Sequence, residues 1–225
     1  MLKDEDSQFR ELLLSRRGEW EGAVRGQTLQ SALDLLVRYR SLLIAENRIQ
    51  NLTRILDPVD FFESNVLDVV ALEASGFLGD DLHLDLGSGG GVPGLLSACI
   101  ATDRRWHLSD SEGRKAEFLT RAARDLGLAN VLDVGGRAEA MLSGGTRGPF
   151  VVVSRAVGPV ERIFNWIRDC STWNTLVLLK GPSWDTEWLD FQRSPRRNKL
   201  SLVGEYSYNV CEGKKSRRIV RLVRK

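Results

Sequence analysis

The chain has 225 residues, 42% of them hydrophobic and 28% charged, with a formal net charge of +2. That is enough apolar material for a core of ordinary domain size, and no apolar run approaches the ~20 residues of a membrane helix. Cys99, Cys170 and Cys211 are odd in number, far apart and without a C-x-x-C pair, which argues for reduced thiols over a disulfide frame or a zinc site, so no metal is expected.

The chain starts with an acidic segment, Met1-Leu2-Lys3-Asp4-Glu5-Asp6, lacking the basic and apolar regions of a signal peptide, and a cytoplasmic location is expected. Residues 1–78 read as helices, an N-terminal extension ahead of a main domain over 79–225. Thr28 suits an N-cap, with Leu29, Leu33, Leu36, Tyr39 or Arg40, and Leu43 at helical spacing through about Asn47. Asp57-Pro58 starts another helix, turning Phe62, Val66, Val69 or Val70, and Leu72 inward and stopping at Gly76.

After Gly79 short apolar strands alternate with helices. Strands are expected at 82–86, 106–109, 131–134, 150–153 and 176–179, with helices opening at Pro93, running over 114–126 and lying near 160–167. This alternation predicts an α/β fold with a doubly wound, Rossmann-like, mostly parallel sheet. A C-terminal antiparallel hairpin, 200–208 with 219–223, brings it to seven strands. Ligands of such sheets lie beyond the carboxyl ends of the strands, where residues 87–94, Asp110, Arg137, Ala138, Glu139, Ser154-Arg155 and Lys180-Gly181 all fall.

The stretch Leu82-His83-Leu84-Asp85-Leu86-Gly87-Ser88-Gly89-Gly90-Gly91-Val92-Pro93-Gly94 is an apolar strand with one aspartate that breaks into a glycine turn. Gly87, Gly89 and Gly91 leave no side chain between backbone and ligand, so an adenosine-bearing group has room against the turn, and Pro93 suits a first helical position. Asp110, closing the next strand, is able to accept hydrogen bonds from both ribose hydroxyls. Gly89-x-Gly91-x-x-Gly94 followed by Asp110 satisfies the dinucleotide fingerprint and points to NAD. The longer Asp85-x-Gly87-x-Gly89-x-Gly91 resembles the first motif of S-adenosylmethionine-dependent methyltransferases, whose strand acid faces the methionine end of the cofactor. A pyrophosphate would be repelled there, so the balance favours the methyltransferase while both ligand classes stay open.

His83 and His107 fall inside central strands and read as core histidines. Trp166, Trp173, Trp184 and Trp188 cluster in the C-terminal third, at least two of them for the core and others available for stacking on bases. From Arg193 to Lys225 eleven basic residues face two acidic ones, Glu205 and Glu212. Such a cluster suits nucleic-acid phosphate or a solvated strand edge.

Together these segments resemble the bacterial ribosomal RNA small subunit methyltransferase G family, also called glucose-inhibited division protein B. The resemblance rests on Asn51-Leu52-Thr53 with Asp57-Pro58, Val66-Leu67-Asp68, residues 85–94 with their Gly91-Val92-Pro93-Gly94 extension, Asp110-Ser111-x-x-Arg114-Lys115-x-x-Phe118-Leu119, Ser154-Arg155-Ala156 and Leu179-Lys180-Gly181. It implies methyl transfer from S-adenosylmethionine to N7 of a guanine in 16S rRNA of the small ribosomal subunit, leaving S-adenosylhomocysteine. Guanine N7 has a free lone pair, so placement and electrostatics suffice and no general base is needed.

The implied cofactor-binding set is Asp85, Gly87, Ser88, Gly89, Gly91, Pro93, Asp110, Ser111, Arg137, Ala138, Glu139 and Arg155. Within it the glycines carry the methionine and ribose, Asp110 takes the ribose, and Arg137 to Glu139 border the adenine. Arg155 and Lys180 are the catalytic pair where the acceptor enters, donating to guanine O6 or a flanking phosphate, although Arg155 equally suits pairing with a carboxylate that shapes the loop. The chain departs from the family at Ser64-Asn65, where Arg-His is usual, at Leu108-Ser109-Asp110-Ser111, where Leu-Leu-Asp-Ser is usual, and at Val157, where phenylalanine is usual. The expected partner is the small ribosomal subunit, with no membrane and a monomeric state. Two other readings stand beside it, an NAD-dependent oxidoreductase and a non-catalytic RNA-binding or ribosome-assembly protein that retains the fold.

Overall fold

A computed structural model describes residues 2–143, 148–211 and 213–225. Met1 of the N-terminal segment and Glu212 of the basic tail lie outside the described residues. Helix α1 (Leu2–Ser15) is followed by α2 (Leu29–Gln50), whose Thr28 cap accepts from the Ser31 N–H and whose end at Asn51 is left-handed. Asp57 caps α3 (Pro58–Phe61) by accepting from the Val59 and Asp60 N–H groups, with Pro58 in the first turn. One helix was expected from there to Gly76. Instead the segment Phe62–Val66 is a π-helix between α3 and α4 (Leu67–Ala74), and it buries Glu63, Ser64 and Asn65.

The strands are β1 (Leu82–Leu86), β2 (Arg105–Ser109), β3 (Val131–Gly135), β4 (Phe150–Arg155), β5 (Trp173–Lys180), β6 (Leu200–Val210) and β7 (Lys215–Arg224). They form one sheet in the order β3-β2-β1-β4-β5-β7-β6. Strands β1 to β5 pair in parallel, whereas β7 runs antiparallel to both β5 and β6. Helices α5 (Gly94–Ile100), α6 (Gly113–Leu126), α7 (Ala138–Ser143), α8 (Val160–Ile167) and α9 (Trp184–Arg193) complete the chain. The sequence reading lacked α7 and α9. Helix α7 has only six residues, and α9 hides its face in aromatic residues, stacking Trp184 on Trp188 at 5.6 Å and Trp188 on Phe191 at 5.4 Å.

Period-two alternation divides the core. Val151, Val153, Val177, Leu179 and Ile219 face one side of the sheet, while Leu84, Leu86, Val152, Leu176, Leu178 and Val220 face the other. The first side is covered by α5 and α6 together with the N-terminal helices, because Phe9, Trp20, Leu36, Phe62 and Val69 belong to the same cluster. The boundary expected near residue 79 therefore separates helical from alternating sequence, while the packed core runs across it. A buried pair reinforces this join: Arg104 Nε lies 3.0 Å from Glu73 Oε2, at 7% and 4% side-chain exposure.

Of the four tryptophans in the C-terminal third, Trp173 and Trp184 are buried and Trp166 is 40% exposed. His83 and His107 are buried in the sheet with their pKa values lowered, chiefly by burial. Cys99 and Cys170 are buried thiols, Cys211 is half-buried, and all three are free. Among the described residues no helix is long and apolar enough to cross a membrane, and no group of three or more metal-ligating side chains is assembled.

Candidate active site

The glycine turn is held from four directions by hydrogen bonds. Gly87 and Ser88 N–H groups both donate to Ser109 O at 2.9 Å, joining the turn to the end of β2. Gly89 N–H donates to Asp110 Oδ2 at 2.9 Å, Gly94 N–H donates to Asp85 Oδ2 at 2.8 Å, and Tyr39 of α2 donates its hydroxyl to Gly90 O at 2.7 Å. Gly87 has a φ of +76°, and a Cβ there would stand 2.5 Å from a Val157 methyl, so only glycine lets the turn approach the loop after β4. Ser88 spends its hydroxyl on Asp85 O at 3.1 Å. Pro93, expected at the first helical position, stands instead at the N-cap, one place ahead of the first residue of α5, Gly94.

Asp85 is not on the wall of the cleft; it lies beneath the turn, fully buried. One oxygen caps Gly94 and the other, Oδ1, has no hydrogen-bond partner. Burial pushes its pKa from the ordinary 3.8 up to about 7, against the opposing pull of the Gly94 N–H. Asp110 spends each oxygen on one backbone donor, Gly89 N–H through Oδ2 and Glu112 N–H through Oδ1 at 2.9 Å. A carboxylate has about four acceptor positions, so two remain for hydroxyl donors.

Beyond the strand ends lie three adjoining cavities. The first, of about 330 Å³, is lined by Gly87, Gly89, Asp110, Ser111 and Arg155, and also by Arg137, Ala138, Glu139 and Trp166. Ala138 opens α7 and is buried, which keeps that wall close to the sheet. A second cavity of about 260 Å³ lies between the turn and Leu43, Leu52, Thr53 and Asn65. A third, of about 320 Å³, is bounded by Asp68, Ala156, Lys180, Tyr208 and Arg217. Arg155 and Ala156 line all three, and Ala156 has a φ of +58°, an uncommon backbone state for a residue with a Cβ.

Arg155 points one nitrogen, Nη1, at Ser64 O (2.8 Å) and at Asp68 Oδ2 (2.9 Å). Asp68 is 1% exposed and also receives the Tyr208 hydroxyl at 2.7 Å and the Arg217 guanidinium. The carboxylate therefore gathers groups from α4, β4, β6 and β7 at one point. Lys180 occupies the expected strand end, but its ammonium is held by Glu187 Oε1 at 2.6 Å and Gly158 O at 2.9 Å. The same Glu187 oxygen accepts from Val160 N–H at 2.5 Å. Lys180 thus fastens the loop after β4 to α9, and Arg155 with Arg217 presents the guanidinium groups at this cavity.

Asp68, Tyr208, Arg217, Ala156 and Asn65 were not expected as site residues. Asp68 had a sequence signal, an acid inside the otherwise apolar stretch from Val66 to Leu72. Tyr208 and Arg217 had none, because they meet only through the β6–β7 register that pairs them. The charge of the tail is also partly satisfied from elsewhere in the chain. Arg217 pairs with Asp68, Arg218 with Asp185 at 2.5 Å and Arg196 with Glu161 at 3.2 Å, so the surplus counted along the sequence overstates the electropositive surface.

The strand order, with β7 inserted antiparallel between β5 and β6, and a glycine turn leading from β1 to an acid after β2 define a Rossmann-like methyltransferase fold. The chain resembles in fold MtNAS in complex with MTA and tNA, at TM-score 0.55 and 15% identity over 85% of this chain and 70% of that one. It also resembles the METTL16 MTase domain, at TM-score 0.50 and 14% identity over 82% and 79%. Residues 32–220 match the family model described as rRNA small subunit methyltransferase G, and the chain belongs to that family. A relative named ribosomal RNA small subunit methyltransferase G from Stutzerimonas stutzeri is 33% identical over 190 residues, covering 83% of this chain and 85% of that protein. The one from Pseudomonas paraeruginosa is 40% identical over 134 residues, and that match spans 59% of this chain and 61% of the relative's length. An oxidoreductase is not favoured by any of these likenesses.

Proposed function

We propose that the chain is an S-adenosylmethionine-dependent methyltransferase that modifies guanine N7 in 16S rRNA of the small ribosomal subunit. The observation that carries this reading is the meeting of a cavity edged by the glycine turn and Asp110 with a second, guanidinium-lined cavity at Arg155 and Ala156. The residues suit the cofactor: Asp110 keeps two acceptor positions for ribose hydroxyls, Asp85 holds an unpartnered carboxylate oxygen under the turn, and space beside Gly89 is open. When bound, S-adenosylmethionine supplies a methyl group on a positively charged sulfur, open to in-line attack.

Arg155 uses one nitrogen on Asp68 and Ser64 O, and its Nε–H and Nη2 donors remain to hold guanine O6 or a phosphate while N7 stays open. Asp68, clamped by Tyr208 and Arg217, sets where that guanidinium points. Lys180 and Glu187 keep the loop carrying Ala156 and Gly158 in place. No group has to remove a proton from N7, so rate comes from positioning and electrostatics. The test is incubation with radiolabelled S-adenosylmethionine and small subunits from cells lacking this gene, followed by cleavage at N7-methylguanine. Label at one 16S guanine is the expected result. Absence of label from a preparation that binds S-adenosylhomocysteine would favour the non-catalytic RNA-binding reading.

A further inference from the structure

We propose that the cavity between the glycine turn and the N-terminal helices holds the amino-acid end of S-adenosylmethionine, with the Asn65 side-chain amide as its hydrogen-bonding partner. The proposal rests on the cofactor reading above and deepens it. Asn65 is 1% exposed, lines this cavity, and its Oδ1 makes no hydrogen bond. A buried amide oxygen without a partner costs folding free energy, and such a group persists where a ligand completes it. The backbone supports the same conclusion, because Asn65 is set by the π-helical segment Phe62–Val66, a local geometry found frequently at functional sites. The preceding residue, Ser64, gives its carbonyl to Arg155, so the segment that aims Asn65 also anchors the guanidinium beside it.

The occupant follows from chemistry and position. This cavity shares Gly87, Gly89, Arg155 and Ala156 with the larger one that Asp110 and Ala138 border. A ligand with its adenosine in the larger cavity therefore continues past Gly87 into the smaller. Among the described residues lining it, Arg155 is the one charged group, turned toward Asp68, with Thr53, Asn65 and Ser88 as polar neighbours, the Ser88 hydroxyl being spent on Asp85 O. A zwitterion needs donors for its carboxylate and an acceptor for its ammonium. The Thr53 hydroxyl, whose oxygen accepts from Ile55 N–H, has its proton to give to the first, and the amide oxygen accepts from the second. Asn65 is too far inside the fold to be a surface contact for RNA.

Calorimetry with two ligands separates this from a structural role. S-Adenosylhomocysteine carries the amino-acid end, and 5′-methylthioadenosine has the same adenosine and sulfur without it. Asn65→Leu and Asn65→Ala are each expected to weaken S-adenosylhomocysteine roughly 10- to 100-fold, the range of a hydrogen bond to a charged group, and to leave 5′-methylthioadenosine unchanged. Unchanged binding of the second ligand also shows that each variant is folded. Equal losses for both ligands would overturn the proposal, as would an unchanged S-adenosylhomocysteine affinity with methylation lost, which would turn the amide toward the acceptor base. If neither ligand binds the unaltered protein, the cofactor reading itself fails, and this assignment with it.

Discussion

The buried carboxylate under the glycine turn makes both stability and cofactor binding depend on pH, in opposite directions. Asp85 is fully buried, and burial raises its pKa from 3.8 to about 7. A raised acid favours the fold while it is protonated, so the stabilisation is complete below about pH 4 and is lost as pH rises to about 7. Three units correspond to about 4 kcal/mol at most. Asp85→Asn keeps an oxygen able to accept from Gly94 N–H but carries no charge, so its stability should not fall over that window. The difference in denaturation midpoint between the variant and the unaltered protein, without ligand, is expected to grow in the variant's favour from pH 5 to pH 8. Binding should run the other way. The ionised carboxylate attracts a cationic cofactor, so the unaltered protein should bind S-adenosylmethionine more weakly at pH 5.5 than at its plateau, by up to about 30-fold at 1.5 pH units below the pKa. Calorimetry in buffers of different ionisation enthalpy would show proton release on binding near pH 6. A flat affinity from pH 5.5 to 8, together with a pH-independent stability difference from Asp85→Asn, would refute the reasoning.

Asp68→Asn should lower kcat/KM for subunit methylation at least about tenfold and leave the Kd of S-adenosylhomocysteine nearly unchanged, because Asp68 orients Arg155 and Arg217 toward the acceptor; equal losses in both would move the cluster into the cofactor shell. Glu73→Ala removes the buried carboxylate partner of Arg104 and leaves its guanidinium only Gly79 O and the exposed Asp80 at 3.9 Å, and a loss of about 3 kcal/mol in chemical denaturation is expected. Gly87→Ala places a methyl 2.5 Å from Val157 at a φ of +76°, so it should cost about 1–3 kcal/mol and weaken cofactor binding. Val157→Ala in the same chain should restore part of the stability by removing the clash and leaving the backbone strain, and a double-variant melting series checks this.

The sequence by itself determined the seven strands, the helices α5, α6 and α8 between them and the glycine turn, because each follows from local pattern: alternation at a period of two, helical spacing, capping residues, and glycines where a side chain would block the backbone. Thr28, Asp57 and Gly76 marked helix ends by their own chemistry. The conversion of Phe62–Val66 to a π-helix was decided only in the folded chain, since nothing in those five side chains distinguishes it from an α-helix. So was the part played by Lys180, whose partner Glu187 lies on a helix that aromatic residues concealed. The Asp68 cluster lies furthest from local pattern, joining residues up to 149 positions apart. A charge counted along the chain cannot tell whether its partner comes from another element, and the arginines of the tail divide between internal pairs and solvent only once β6 and β7 lie against the α4 end of the sheet.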